Sequence, residues 1–133
     1  MIFVDSNVPM YVAGRDRPFQ EPARRFLARA RAGEIDICTS TDVLQEILYR
    51  YAALKRLDLA ASVYDLFVQL CPTVHAVTLA DTDRAKTLLT TVRGISARDA
   101  VHAAVMLNHN IAEIATFDAG FDRVGDIARV GLA

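Results

Sequence analysis

Short apolar runs and longer amphipathic stretches alternate along the 133-residue chain. IFVD (residues 2–5) is an apolar run closed by an acid, which predicts a buried strand with Asp5 at its C-terminal edge. Val8, Pro9, Met10 and Tyr11 predict a short helix with Pro9 in its first turn, stopped by Gly14. From Glu21 to Ala32, Phe26, Leu27 and Ala30 share one face and arginines the other, with Pro22 at the start and Gly33 at the stop. IDIC (35–38) predicts a second strand. The N-cap cluster Thr39-Ser40-Thr41-Asp42 then opens a helix whose apolar positions are Val43, Leu44, Ile47, Leu48 and Tyr51.

The same alternation continues to the end. Asp58 is the expected cap of a helix with Leu59, Val63, Leu66, Phe67 and Leu70 inward, ended by Pro72. TVHAV (73–77) alternates like a strand, and Thr78 opens a helix to about Thr91 that turns Ala85, Leu88 and Leu89 inward. Gly94 breaks the chain. Ser96 caps a helix carrying Ala100, Val101, Ala104, Val105 and Leu107, and Asn110 suits the left-handed residue that ends it. IAEIATFD (111–118) predicts a strand that again finishes on an acid, and after a short turn ARV (128–130) predicts an edge strand. Helices alternating with short apolar strands predict an α/β fold, a parallel sheet covered on both faces. No repeat, low-complexity segment or linker interrupts the pattern, so residues 1–133 are expected to form one domain.

Composition narrows the class. Hydrophobic residues make up 53% and charged residues 23%, ordinary for a globular core of this length. The net charge of −1 argues for no partner by itself, so any binding claim rests on where charges lie: Arg24, Arg25, Arg29 and Arg31 cluster, as do Arg50, Lys55 and Arg56. Asp5 arrives before a signal-like apolar core has formed, and no apolar run approaches the roughly 20 residues of a membrane span. Cys38 and Cys71 form no C-x-x-C pair and no zinc spacing with the histidines, and are expected to be small buried hydrophobes. A reduced, cytoplasmic protein is the expectation.

The candidate chemistry is acidic. Asp5 and Asp118 fall at predicted strand ends, where open parallel sheets bind ligands. Asp99 lies in the first turn after Ser96, and Glu46 lies among the apolar positions Leu44, Ile47 and Leu48. Taken singly, each has a plain structural role: Asp99 as partner of a cap, Asp5 as a cap of the next helix, Glu46 as a solvated helix position. Taken together they are costly, because two carboxylates about 4 Å apart repel by roughly 4 kcal/mol at an effective dielectric near 20. Arg98 is the only cation beside them in sequence. A divalent ion would offset the repulsion, and an all-oxygen donor set selects Mg²⁺ or Mn²⁺ over Zn²⁺. His102, three residues after Asp99, reads as a packed core histidine with a supporting role to a carboxylate as its alternative; His75 and His109 read as peripheral. Tyr49, Tyr51 and Phe67 read as core or dimer contacts.

IFVDSNV at the start, Glu46 in the helix opened by Thr41, SARDAVHAA, and IATFDAGFDRV near the end together resemble the PIN-domain ribonucleases, most of all the VapC-type toxins of toxin–antitoxin pairs. The likeness runs in order over nearly the whole chain. It implies a three-layer α/β/α sandwich on a mainly parallel sheet of four or five strands, and a Mg²⁺- or Mn²⁺-dependent endoribonuclease. It further implies a metal site of Asp5, Glu46, Asp99 and Asp118, polar support from Ser6 or Asn7 and from Thr116, a homodimer, and a cognate antitoxin that covers the site. Some relatives carry another acid two residues after the position of Asp118; here Gly120 stands there, with Asp122 the nearest substitute. Arg15, Arg17, Arg50, Arg93 and Arg98 are candidates for RNA phosphate contacts. Haloacid-dehalogenase and receiver readings fail because Asp5 lacks the second acid each needs, and no P-loop or G-x-G-x-x-G is present. A PIN-like scaffold that binds RNA or a partner without catalysis is the remaining alternative.

Overall fold

The computed structural model describes residues 1–132. Five strands form one parallel sheet in the order β3-β2-β1-β4-β5: β1 is Ile2–Val4, β2 Ile37–Ser40, β3 Thr73–His75, β4 Glu113–Ala115 and β5 Ala128–Arg129. Six helices fill the crossovers: α1 Asn7–Ala13, α2 Arg17–Arg31, α3 Thr41–Ala53, α4 Leu57–Leu70, α5 Leu79–Thr91 and α6 Ala97–Asn108. Helices α1, α2 and α4 pack together and α5 packs on α6, so helical layers flank the sheet as expected of an α/β/α sandwich. Phe3, Val4, Ile37, Cys38, Ile114 and Ala115 are buried on the central strands, the near-continuous apolar pattern of strands covered on both faces.

The strand order places the site. β1 lies between β2 and β4, which follow it from opposite directions along the sheet, so the C-terminal ends of β1 and β4 flank the switch point where parallel sheets open a crevice. Ile2 pairs with both Ile37 and Glu113, and Val4 with Ala115. Asp5 and Thr116 therefore leave the sheet side by side.

Several boundaries differ from the sequence expectation. α2 begins at Arg17 rather than Glu21: the Asp16 carbonyl accepts the N–H groups of Phe19 and Gln20, so Pro18 occupies the opening turn and Pro22 lies inside the helix. β2 runs two residues later than expected because Thr39 and Ser40, although polar, are buried; the Thr39 hydroxyl donates to the Val4 carbonyl at 3.0 Å and Ser40 caps α3. β3 and β4 are shorter than expected. The chain quits β4 after Ala115 so that residues 116–118 can turn into a 3-10 helix, Ala119–Arg123, where a plain turn was expected. Asp58 sits in the first turn of α4 paired with Arg56 instead of capping it. Leu48, Leu66 and Leu89 are exposed rather than inward, and Leu66 lines an apolar groove with Pro9, Val12, Leu27 and Leu70. Asn110 takes the expected left-handed conformation at φ 57°. Both cysteines are free and buried, with thiols pushed up to about 11 (Cys38) and about 12 (Cys71), chiefly by burial. Among the described residues, no helix is long and apolar enough to cross a membrane.

Candidate active site

Asp5, Glu46, Asp99 and Asp118 line a single cavity of about 600 Å³, together with Ser6, Asn7, Met10, Tyr11, Arg50, Ser96 and Arg98. Four elements deliver the acids. Asp5 follows β1, Glu46 lies in the second turn of α3, Asp99 in the first turn of α6, and Asp118 caps the 3-10 helix. Ser96 caps α6 by accepting the Asp99 N–H at 3.1 Å, which fixes the turn and leaves the Asp99 carboxylate to the cavity wall.

Thr116 is the organising residue. Its hydroxyl donates to Asp5 Oδ2 at 2.8 Å and accepts from Asn7 Nδ2 at 3.1 Å and from the Asp118 N–H at 3.0 Å. One donor and two lone pairs are thereby used up. Asn7 closes the circuit, its Oδ1 accepting the Phe117 N–H at 3.3 Å. Ser6 serves the opposite wall: its N–H donates to Asp5 Oδ1 at 2.7 Å and its hydroxyl to Glu46 Oε2 at 2.6 Å. All three polar residues singled out beside the acids thus take part.

Gly120 is what sequence reading missed. A Cβ there would stand 3.1 Å from both Asp118 Oδ1 and Asp99 Oδ2, so the missing side chain leaves room for the two carboxylates to converge. Nothing in the sequence AGFD signals this approach. Asp122 does not take the place of a further acid: it forms a paired contact with Arg129 at 2.8 and 2.9 Å, away from the cavity lining.

The electrostatics follow from the convergence. Burial, then the neighbouring charges of Asp118 and Asp5, push the Asp99 carboxyl up to about 6, with His102 pulling weakly the other way. Glu46 is buried and Arg98 Nε stands 3.3 Å from its Oε1, an atom without a hydrogen bond among the described residues. Arg50 and Arg98 border the cavity, whereas Arg15 and Arg17 line a separate hollow beside Gly14 and Arg93 is exposed elsewhere. One donor atom each of Asp5, Glu46 and His102 lies within 4.8 Å of the others, while Asp99 and Asp118 meet beside Gly120. Asp5 and this pair both line the open cavity, whereas His102 is fully buried and absent from its wall. Oxygen donors that repel one another, a buried Glu46 oxygen without a hydrogen bond and space cleared by a glycine fit a hard divalent cation.

These features are those of a nuclease centre, and comparison with known proteins agrees. The PIN domain family matches residues 2–127. Ribonuclease VapC13 of Mycobacterium tuberculosis is 38% identical over 130 residues, spanning 98% of this chain and 99% of its own. The crystal structure of VapC20 from the same species, described as a sarcin-ricin loop cleaving toxin, matches at 25% identity with TM-score 0.75 over 94% of this chain and 95% of that one. VapBC2 from Rickettsia felis, bound to a promoter DNA fragment, shares the fold at TM-score 0.76 and 19% identity, covering 98% of each chain. The chain belongs to the PIN domain family, and within it to the VapC ribonucleases.

Proposed function

We propose that the protein is a Mg²⁺- or Mn²⁺-dependent endoribonuclease, the toxin of a toxin–antitoxin pair, folded as one domain. The observation that carries the reading is the meeting of Asp5, Asp99 and Asp118 in one cavity, where burial and then the charges of Asp118 and Asp5 raise Asp99. Asp5, Asp99, Asp118 and Glu46 would hold the ion, Glu46 with a donor atom within 4.8 Å of one of Asp5's. When bound, such an ion supplies Lewis-acid polarisation of the scissile phosphate and of water.

The chain's own groups do the rest. Arg50 and Arg98 bind and orient the RNA backbone at the cavity mouth. Asp118 is the most solvent-open of the acids, and with Oδ1 holding the Gly120 N–H its Oδ2 is free to take a proton from the attacking water. Thr116 and Ser6 keep Asp5 and Glu46 from rotating as charge shifts. In-line attack by water at phosphorus breaks the P–O3′ bond, so the products carry a 5′-phosphate and a 3′-hydroxyl.

The proposal includes a cytoplasmic homodimer and an antitoxin partner; a neighbour in fold from Klebsiella pneumoniae is a toxin–antitoxin complex. A scaffold without catalysis is the weaker reading, since among the described residues no other role accounts for four acids in one cavity. Purified protein incubated with RNA and Mn²⁺ should cleave it, and Asp5→Ala and Asp99→Ala should not while remaining folded. Undiminished metal-dependent cleavage by Asp99→Ala would refute the assignment.

A further inference from the structure

Thr116 and the Ser6 N–H hold two sides of the Asp5 carboxylate, and His102 faces it from below the cavity. This ring is fully buried on α6, with Phe3 at 5.8 Å and Phe121 at 6.3 Å between ring centroids. Among the described residues, neither ring nitrogen has a hydrogen-bond partner. The groups they approach are both carboxylates: Nε2 lies 3.8 Å from Asp5 Oδ1, and Nδ1 lies 3.8 Å from Asp42 Oδ2. An imidazole buried for packing alone settles with a nitrogen on a backbone carbonyl or a hydroxyl, because an unmet polar atom in the core costs free energy. Here the ring is instead centred between acids from two other elements. Asp42 sits in the first turn of α3, partly exposed and outside the cavity wall.

We propose that Asp42, His102 and Asp5 form a carboxylate–imidazole–carboxylate relay, in which His102 is a positioning residue for Asp5 and Asp42 fixes the ring from outside the site. The inference rests on the metal-nuclease reading above and assigns roles to two residues that reading does not use. Each ring nitrogen lies 3.8 Å from a carboxylate oxygen, beyond a hydrogen bond, so Asp42 biases the ring plane through its charge and, through the ring, the orientation of Asp5. Groups that orient metal ligands from behind typically change metal affinity by 10–100-fold when removed. Direct coordination by His102 is the rival arrangement, since Nε2 lies within 4.8 Å of donor atoms of Asp5 and Glu46. The absence of His102 from the cavity wall favours the relay.

The test uses the full chain with Mn²⁺ alone as probe, counting free ion by paramagnetic resonance and reading nitrogen coupling by spin echo. Asp42→Asn should weaken Mn²⁺ binding about tenfold without lowering the melting temperature. His102→Gln should weaken it similarly, and adding Asp42→Asn to His102→Gln should cost nothing more. The echo spectrum of the Mn²⁺-loaded wild type should lack directly coordinated ¹⁴N.

Unchanged affinity in Asp42→Asn overturns the relay. So does an Asp42→Asn effect that persists undiminished in the His102→Gln background, which would mark simple charge removal, and so does directly coordinated ¹⁴N. If His102→Gln does not fold, Asp42→Asn and the wild-type echo decide between them. A wild type that takes up no Mn²⁺ overturns the metal reading itself, a result distinct from normal uptake that ignores Asp42.

Discussion

Thr116 Oγ1 donates to Asp5 Oδ2 across 2.8 Å of space and 111 residues of sequence. The bond links the ends of two neighbouring parallel strands and orients the first acid of the site. The same oxygen accepts from Asn7 and from the Asp118 N–H, so one hydroxyl couples the positions of two acids.

Thr116→Val keeps the shape and removes the donor. It leaves the Asn7 amide and the Asp118 N–H without their acceptor in a partly buried place, which costs about 1 kcal/mol. The expected outcome is a lower melting temperature and single-turnover RNA cleavage reduced on the order of tenfold or more. Thr116→Ser should recover most of both. Cleavage by the valine variant at the wild-type rate would mean that Asp5 needs no such support.

Asp99→Asn should separate activity from stability. The native Asp99 carboxyl titrates near 6 against an ordinary 3.8, so the folded protein keeps a proton that the unfolded chain has already lost. Its contribution to stability therefore falls as pH rises from 3.8 to about 6 and stays unfavourable above that. The gap corresponds to at most about 3 kcal/mol, and solvent reaching this half-buried group trims it to about 1–2 kcal/mol. Metal-free Asp99→Asn should then melt several degrees above the wild type at about pH 7.5, with the difference vanishing by about pH 4. Saturating Mn²⁺ should reverse the order, because the ion stabilises only the protein that binds it. A neutral-pH melting temperature equal to or below the wild type's contradicts the cost of burying this charge beside Asp118 and Asp5.

The positions of these acids were largely legible in the sequence. A polar residue closing an apolar run marked Asp5, a serine cap marked the turn of Asp99, and Leu44 and Ile47 beside Glu46 marked its inward lean. Asp118 is expected at the end of a strand but caps a 3-10 helix three residues beyond β4, because alternation in IAEIATFD hides the point where the chain leaves the ladder. Gly120 and Asp42 were not legible. Their roles depend on distances of a few ångströms between separate elements, which no local periodicity encodes. Leu66 shares the apolar face that helical spacing defines, yet it is exposed, because spacing names such a face without saying whether the chain itself covers it.

Arg98 stands 3.3 Å from Glu46 Oε1 and is the cation nearest that buried acid. With the guanidinium about half exposed, the pair contributes about 1 kcal/mol at most, and removing it leaves Glu46 the larger burden of a buried charge. Arg98→Ala should therefore destabilise the metal-free protein modestly and gain more stability from saturating Mn²⁺ than the wild type does. Because Arg98 also borders the cavity, KM for RNA should rise and depend less steeply on salt. Thermal melts with and without Mn²⁺, paired with cleavage at two salt concentrations, check both. Equal Mn²⁺-induced shifts in the variant and the wild type would show that Arg98 does not compensate Glu46.

Gly120→Ala tests whether the two acids meet by steric permission. The backbone there needs no glycine-only conformation, so an alanine adds a methyl group and little strain. That methyl would sit 3.1 Å from an oxygen of Asp99 and from one of Asp118, tighter than ordinary carbon–oxygen contact. The Asp118 oxygen is also tied to the Gly120 N–H at 2.8 Å, so the freer Asp99 carboxylate is the one to move. Separating the two relieves their repulsion, so the metal-free variant should keep wild-type stability or gain slightly, while Mn²⁺ affinity and cleavage drop on the order of tenfold. Calorimetric Mn²⁺ titration and a thermal melt on the same preparation read both effects. Loss of stability together with unchanged Mn²⁺ affinity would show that this glycine serves the packing of the 3-10 helix and not the site.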